Sequence, residues 1–99
     1  MIGFEFLVKV NPGKRIEFLQ AFEMVKNIDQ LKKSRISLEL IEEAREPNSF
    51  LWIEHWENDK CLSSYYQNIN FMAMMGAIDV LGQIIRKTII LISEEEDHA

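Results

Sequence analysis

Phe50-Leu51-Trp52-Ile53-Glu54-His55-Trp56 is the stretch on which the fold turns. Its aromatic and β-branched residues favour a strand, in which successive side chains point to opposite faces. Phe50, Trp52 and Trp56 fall on one face, yet Leu51 and Ile53 on the other are apolar as well. A strand that is apolar on both sides is covered on both sides. Just upstream, Glu46-Pro47-Asn48-Ser49 has the chemistry of a turn, because Pro presets φ and Asn tolerates the left-handed region. Before the turn, Ile36, Leu38 and Leu40 alternate with Arg35, Ser37 and Glu39, which predicts a half-buried strand over about residues 34–42. The two strands form a hairpin.

Working outward, Phe4, Phe6, Val8 and Val10 alternate with Glu5, Leu7 and Lys9, so residues 3–10 read as a first strand with one strongly apolar face. Asn11-Pro12 offers an N-cap followed by proline at the first helical position, which predicts a helix starting there. Phe18, Ala21, Phe22, Val25 and Ile28 make its apolar stripe, to about residue 30. On the far side of the hairpin, Asn58-Asp59 caps a second helix with Leu62, Tyr65 and Tyr66 on one side. Asn70 is expected to cap a third, carrying Phe71, Met74, Met75, Ile78 and Leu81, and Gly82 to stop it. Ile84 to Ile92 reads as a fourth strand, apolar on both faces and therefore central or at an interface.

The order β-α-β-β-α-β, its second helix broken in two, is the split βαβ arrangement of an α+β, ferredoxin-like domain with a four-stranded antiparallel sheet. Helices cover only one face of such a sheet. The other face needs a partner, and the economical one is a second copy in a twofold homodimer.

At 99 residues the chain makes one domain, taken as residues 1–93, and the acidic run Glu94-Glu95-Glu96-Asp97 makes 94–99 a frayed tail. With 47% hydrophobic and 27% charged residues it is a soluble, globular composition. A net charge of −5 argues against nucleic acid. The basic groups Lys14-Arg15 and Lys32-Lys33-Ser34-Arg35 read as solvated helix ends or strand edges. Glu5 and Lys9 interrupt the apolar start, unlike a signal peptide, and no apolar run approaches the roughly 20 residues that span a bilayer. A cytoplasmic location is expected. Cys61 is the single cysteine, so no internal disulfide forms, and with only His55 and His98 beside it no structural zinc site is expected. Gly13 belongs to a lone Pro-Gly, and no phosphate-binding glycine motif occurs, so no nucleotide cofactor is indicated.

Val8-Lys9-Val10-Asn11-Pro12-Gly13-Lys14, then Phe18, resembles the first strand and helix start of antibiotic-biosynthesis-monooxygenase domains. Leu51-Trp52-Ile53-Glu54-His55-Trp56-Glu57, followed later by Asn70-Phe71-Met72-Ala73, is similar to that family's strand ending in Glu-x-Trp or Glu-x-Tyr and to its later His-Phe helix start. The likeness runs over about residues 4–92. It implies a dimeric α/β barrel with a pocket in each subunit, between the sheet and the second helical segment. It also implies one of several activities, namely cofactor-independent oxygenation of phenolic or quinol-like aromatics, haem degradation, or the handling of sugar-like or signalling metabolites, or else membership among those of the family with no known activity. The haem-degrading Asn, Trp and His fall here on Phe6, Tyr65 and Met75, so haem degradation is disfavoured. The histidines of the quinol-oxygenase branches fall on Tyr65 and Asn70, which removes a base titrating near neutrality.

The resemblance and the residues together assign candidate roles. Glu54, between two tryptophans, is desolvated and becomes a candidate general base, against a hydrogen-bonded structural carboxylate. Tyr65 and Asn70 would orient or stabilise the substrate anion. Phe6, Trp52, Trp56, Tyr66, Phe71, Met74 and Met75 are candidates for the substrate wall, although aromatics and methionines of this kind also build ordinary cores. His55 faces away from Glu54 by alternation, and Cys61 reads as a passive thiol. No metal, haem or flavin enters this reading. The function expected is a cofactor-independent monooxygenase acting on a small aromatic or quinol-like metabolite; the alternative is a non-catalytic dimeric domain that binds a small apolar ligand or has a structural role. The two part on whether a pocket beside Glu54 is open or is filled by Trp52, Trp56 and Met75.

Overall fold

The computed structural model describes residues 1–28 and 33–92. The elements follow in the order β1 (Ile2–Val10), α1 (Arg15–Lys26), β2 (Arg35–Glu42), β3 (Ser49–Trp56), α2 (Asp59–Tyr66), α3 (Ile69–Leu81) and β4 (Gly82–Leu91). The four strands make one antiparallel sheet in the order β2-β3-β1-β4, with the helices packed on one face. This is the ferredoxin-like α+β arrangement that the strand and helix patterns predict.

Even-numbered residues of β1 and β3 point at the helices. Phe4, Val10, Trp52, Glu54 and Trp56 have no exposed surface at all. Phe18, Phe22 and Val25 of α1, Leu62 and Tyr65 of α2, and Phe71, Met74 and Ile78 of α3 close the core from the other side. Burying each such large side chain contributes about 1.5–3 kcal/mol, so this single core carries most of the stability. Among the described residues no helix is long and apolar enough to cross a membrane.

Several local expectations hold. Asn48 adopts φ 69°, and the Ser49 N–H reaches the Glu46 carbonyl at 3.0 Å, closing the hairpin turn at Pro47-Asn48. Asn58 caps α2, its Oδ1 accepting from the Cys61 N–H at 2.9 Å.

Others need correction. Asn11-Pro12 does not open α1: Asn11 to Lys14 is a separate turn, closed by the Lys14 N–H on the Asn11 carbonyl at 3.0 Å, with Gly13 at φ 86°. Proline and then glycine at the two central positions are the residues such a turn requires. The helix begins after it, and ends at Lys26 instead of near residue 30; residues 29 and 30 lie outside the described part of the chain. The cap of α3 is Asn68, whose Oδ1 accepts from the N–H groups of Asn70 and Phe71, while Asn70 sits inside the first turn. Gly82 does end α3, but for lack of room: a Cβ there would lie 2.1 Å from the Lys9 carbonyl oxygen.

Finally, β4 is an edge strand and not a central one, since it pairs only with β1. Its apolar residues are largely uncovered within the chain, with Ile85 53%, Ile89 54% and Leu91 78% exposed. The acidic tail at 94–99 lies outside the described residues.

Candidate functional site

Two aromatic regions lie beneath the helices, and they differ in access. The first surrounds Glu54. Its register on β3, between Trp52 and Trp56, points its carboxylate into the core, where it has no exposed surface. Oε2 accepts from the Trp52 Nε1–H at 2.8 Å and from the Tyr65 hydroxyl at 2.5 Å; Oε1 accepts from Arg35 Nη1 at 3.3 Å. Arg35 also donates to the carbonyls of Val25 and Lys26, both at 2.9 Å, and so ties the C-terminal end of α1 to β2 and β3. That is where a cation complements the helix dipole. Arg35 is therefore no solvated strand-edge charge, as its basic neighbourhood implies; its side chain is only 8% exposed.

Burial pushes the Glu54 carboxyl above its ordinary value, and the hydrogen bonds from Tyr65 and Trp52 and the Arg35 charge pull it back. Tyr65 is driven well above the usual phenol range by burial and by the Glu54 charge. Each acceptor atom of Glu54 thus has a protein donor. The Trp56 Nε1–H is the exception among the buried polar groups here, with no hydrogen-bond partner. Beside Glu54 the core is filled by Trp52 and Trp56, the outcome that favours the binding or structural alternative, while Met75 does not fill it but lines a separate cavity.

The second region is open. Between β1 and β4 on one side and α2 and α3 on the other lies a cavity of about 330 Å³, lined by Phe6, Tyr66, Phe71, Met75, Lys87 and Ile89. Tyr66 is half-buried, and burial, then the charges of Glu54 and Asp59, raises its phenol above the usual range. It is accordingly a protonated donor near neutral pH. Lys87 faces Phe6 across the strand pair, its Nζ 5.9 Å from the ring centroid. The wall is otherwise apolar, with a few convergent polar groups, which is the usual make-up of a small-molecule pocket.

Two other hollows are less suited to an organic ligand. A groove between α1 and β2, lined by Leu19, Phe22, Glu23, Lys26, Leu38 and Leu40, has its charges matched by a Glu23–Lys26 ion pair at 3.8 Å. A hollow along the β4 edge is lined by Asp79, Gln83, Ile84, Ile85, Arg86 and Lys87 and is mainly polar and charged. Among the described residues no three His, Cys, Asp or Glu side chains gather to hold a metal ion.

Of the residues singled out in the sequence, the cavity brings together Phe6, Tyr66, Phe71 and Met75. Glu54, Tyr65, Trp52, Trp56 and Met74 lie in the sealed core and do not line it. Asn70 is exposed on the first turn of α3, also away from the lining. His55 is on the opposite sheet face, hydrogen-bonded through Nδ1 to Ser37 Oγ at 2.9 Å. Sequence reading missed Lys87 and Ile89, whose signal was the Arg86-Lys87-Thr88 interruption of the otherwise apolar run from Ile84 to Ile92. It missed Arg35 as well, whose partners lie 10 and 19 residues away.

No family model matches the chain. YcnE of Bacillus subtilis strain 168, a protein provisionally named a monooxygenase, is 24% identical over 76 residues, covering 77% of this chain and 80% of that one. Among solved structures, a conserved protein from Methanosarcina mazei matches with a TM-score of 0.82 at 17% identity, over 93% of this chain and 92% of its own. SnoaB, a cofactor-independent oxygenase from Streptomyces nogalater, matches with a TM-score of 0.79 at 16% identity, over 94% and 93%. Further neighbours are named antibiotic biosynthesis monooxygenases, some of them provisionally. At such identities the likeness speaks for architecture, and chemistry has to be argued from the site. The chain has the ferredoxin-like fold of the antibiotic-biosynthesis-monooxygenase domain.

Proposed function

We propose that this protein is a cofactor-independent monooxygenase that takes a small phenolic or quinol-like aromatic into the cavity formed by Phe6, Tyr66, Phe71, Met75, Lys87 and Ile89. The observation that carries the reading is the cavity itself: aromatic and thioether walls for a planar ring, with one hydroxyl donor and one cation for its oxygen. A cofactor-independent oxygenase of the same fold supports it.

In this reading the bound phenol loses its proton to solvent, and the electron-rich ring passes an electron to O₂. The resulting radical and superoxide combine at the ring carbon para to the oxygen. Loss of water then leaves a quinone: one oxygen atom is added to the ring, and the other departs with the ring hydrogen and the hydroxyl proton. The protein holds the ring, donates from Tyr66 to the developing anion and shields the intermediate. Glu54 and Tyr65, closed on each other, hold the fold and stay out of proton transfer.

The open face of the sheet carries Leu7, Leu51 and Ile53, half-buried, and Ile41, 46% exposed. A homodimer through that face is part of the proposal, and a monomeric mass by light scattering at micromolar protein would remove it.

A second reading, a binding domain without chemistry, is favoured by two features: the core beside Glu54 is filled, and the six residues lining the cavity include no carboxylate or imidazole to serve as a base. Oxygen-electrode assays with phenols and quinols separate the two. Oxygen uptake matched by quinone formation, and abolished by Met75→Trp, supports the oxygenase. Phenol binding without oxygen uptake leaves the binding domain, and no phenol binding at all overturns the oxygenase and leaves the non-catalytic domain.

A further inference from the structure

We infer that Lys87 makes the cavity selective for an ionised aromatic, a phenolate or an aryl carboxylate, by means of a β-bulge at Ile85 that turns the lysine to the cavity side of the sheet. The inference rests on the reading of this cavity as the ligand site, and adds to it the charge of the ligand and the residue that selects it.

The bulge is visible in the pairing of β1 with β4. Phe6 pairs with Lys87 and Leu7 with Arg86, but Val8 pairs with Ile84, so that Ile85 is an extra residue on β4. Phe6 and Val8 both face the helices, and their partners Lys87 and Ile84 therefore do too. With strict alternation from Ile84, position 86 would face the helices and Lys87 would turn to the open side. A bulge leaves its extra residue unpaired and re-aims the side chains beyond it, and such bulges recur beside functional sites. Ile85 itself is 53% exposed, which gives the insertion no packing benefit of its own.

The surroundings of the ammonium suit an anion. Four of the six lining residues are apolar, and Lys87 is the one cation in the set. The Phe6 ring beneath it, at 5.9 Å, steadies it through cation–π attraction. From α2 the cavity is lined by Tyr66, and from α3 by Phe71 and Met75. Among the described residues no carboxylate forms an ion pair with Lys87, although Asp79 borders the edge hollow that Lys87 also lines. An anionic oxygen beside Lys87 would receive a charge-assisted hydrogen bond at the edge of an otherwise largely apolar wall.

Two chromophoric probes of similar shape test this: 4-nitrophenol, which ionises, and 4-nitroanisole, which cannot. Their affinities for the full-length protein are measured by titration, and the ionisation of bound 4-nitrophenol by its phenolate absorbance. The expected result is phenolate binding at least about tenfold tighter than the anisole, with bound nitrophenol ionising at lower pH than free. Lys87→Gln should equalise the two affinities and cancel the ionisation shift, Lys87→Arg should largely restore both, and Lys14→Gln, the same charge change on the surface, should alter neither. If both probes bind alike and Lys87→Gln changes nothing, the cavity reading survives and the role of Lys87 is overturned. If neither probe binds and Met75→Trp makes no difference, the cavity is not the ligand site and both fall.

Discussion

Two aromatic regions share one helix-covered sheet face, a few residues apart, and they have opposite designs. Around Glu54 the aromatics close on a carboxylate whose oxygens are all taken by Trp52, Tyr65 and Arg35. Around Phe6 they leave a cavity of about 330 Å³, with Lys87 and Tyr66 among its lining residues. The difference teaches that a buried, pKa-shifted carboxylate does not by itself mark an active site: a group hemmed in by its own donors has no room for a substrate, whereas a plain apolar hollow with two polar groups has.

The contrast is broken most severely by removing Arg35. Arg35→Met leaves Glu54 without its cation and the Val25 and Lys26 carbonyls without their donor. Breaking one partner of a buried pair costs about 3–5 kcal/mol, which denaturant unfolding should register while the native fraction keeps its affinity for cavity ligands. The reverse signature is expected of Met75→Trp, which fills the cavity: ligand affinity falls at least about tenfold, with little change in melting temperature. Should Met75→Trp unfold the protein and Arg35→Met abolish binding in the folded fraction, the division of labour would be the other way round.

Acidity sharpens the same comparison. The Glu54 carboxyl titrates higher in the folded chain than in the unfolded one, chiefly through burial. Folding then takes up protons, so the contribution of this group is fully present below the unfolded value and is lost as pH rises through the folded one. The melting-temperature difference between wild type and Glu54→Gln should therefore favour the wild type most in acid and shrink as pH rises across that interval. Glu42, held below its ordinary value by Arg15 and the Asn48 N–H, works in the opposite direction but is common to both proteins and cancels. A difference that grows with pH would mean that Glu54 is stabilised as a carboxylate, and burial would not be its dominant influence.

What could be read from the sequence follows the range of the forces involved. The alternation of β1, the Pro47-Asn48 turn and the Asn58 cap are fixed by neighbours within a few residues, and all stand where their chemistry puts them. Asn68 and Asn70 are equally good caps by type, and it is Asn68 that caps the helix. Phe6, Tyr66, Phe71 and Met75 were legible as candidates because an apolar wall needs only residue type and face. Lys87 was not, since the Ile85 bulge exists only in the register with β1. Nor was the sealing of Glu54, because Arg35 reaches it across a strand pairing, Arg35 opposite Trp56, that no local pattern encodes.

The finest test of the sealed region lies in its two tryptophans, both without exposed surface. Trp52→Phe and Trp56→Phe remove the same ring and differ in one polar atom. The Trp52 N–H serves Glu54 Oε2 at 2.8 Å, so its loss leaves a buried carboxylate short of a donor. The Trp56 N–H is buried without an acceptor, so its loss removes a desolvated group that nothing in the fold satisfies. An unsatisfied buried polar group costs about 1–3 kcal/mol, and the cavity left by each ring is of similar size. Trp52→Phe should therefore destabilise more than Trp56→Phe, by at least about 1 kcal/mol in paired unfolding curves. The gap should narrow in a Glu54→Gln background, where the weaker acceptor has less to lose from the missing N–H. Equal costs would mean that the hydrogen bonds of the Glu54 cluster add nothing beyond the packing of its rings, and the distinction between the two regions would reduce to one of shape.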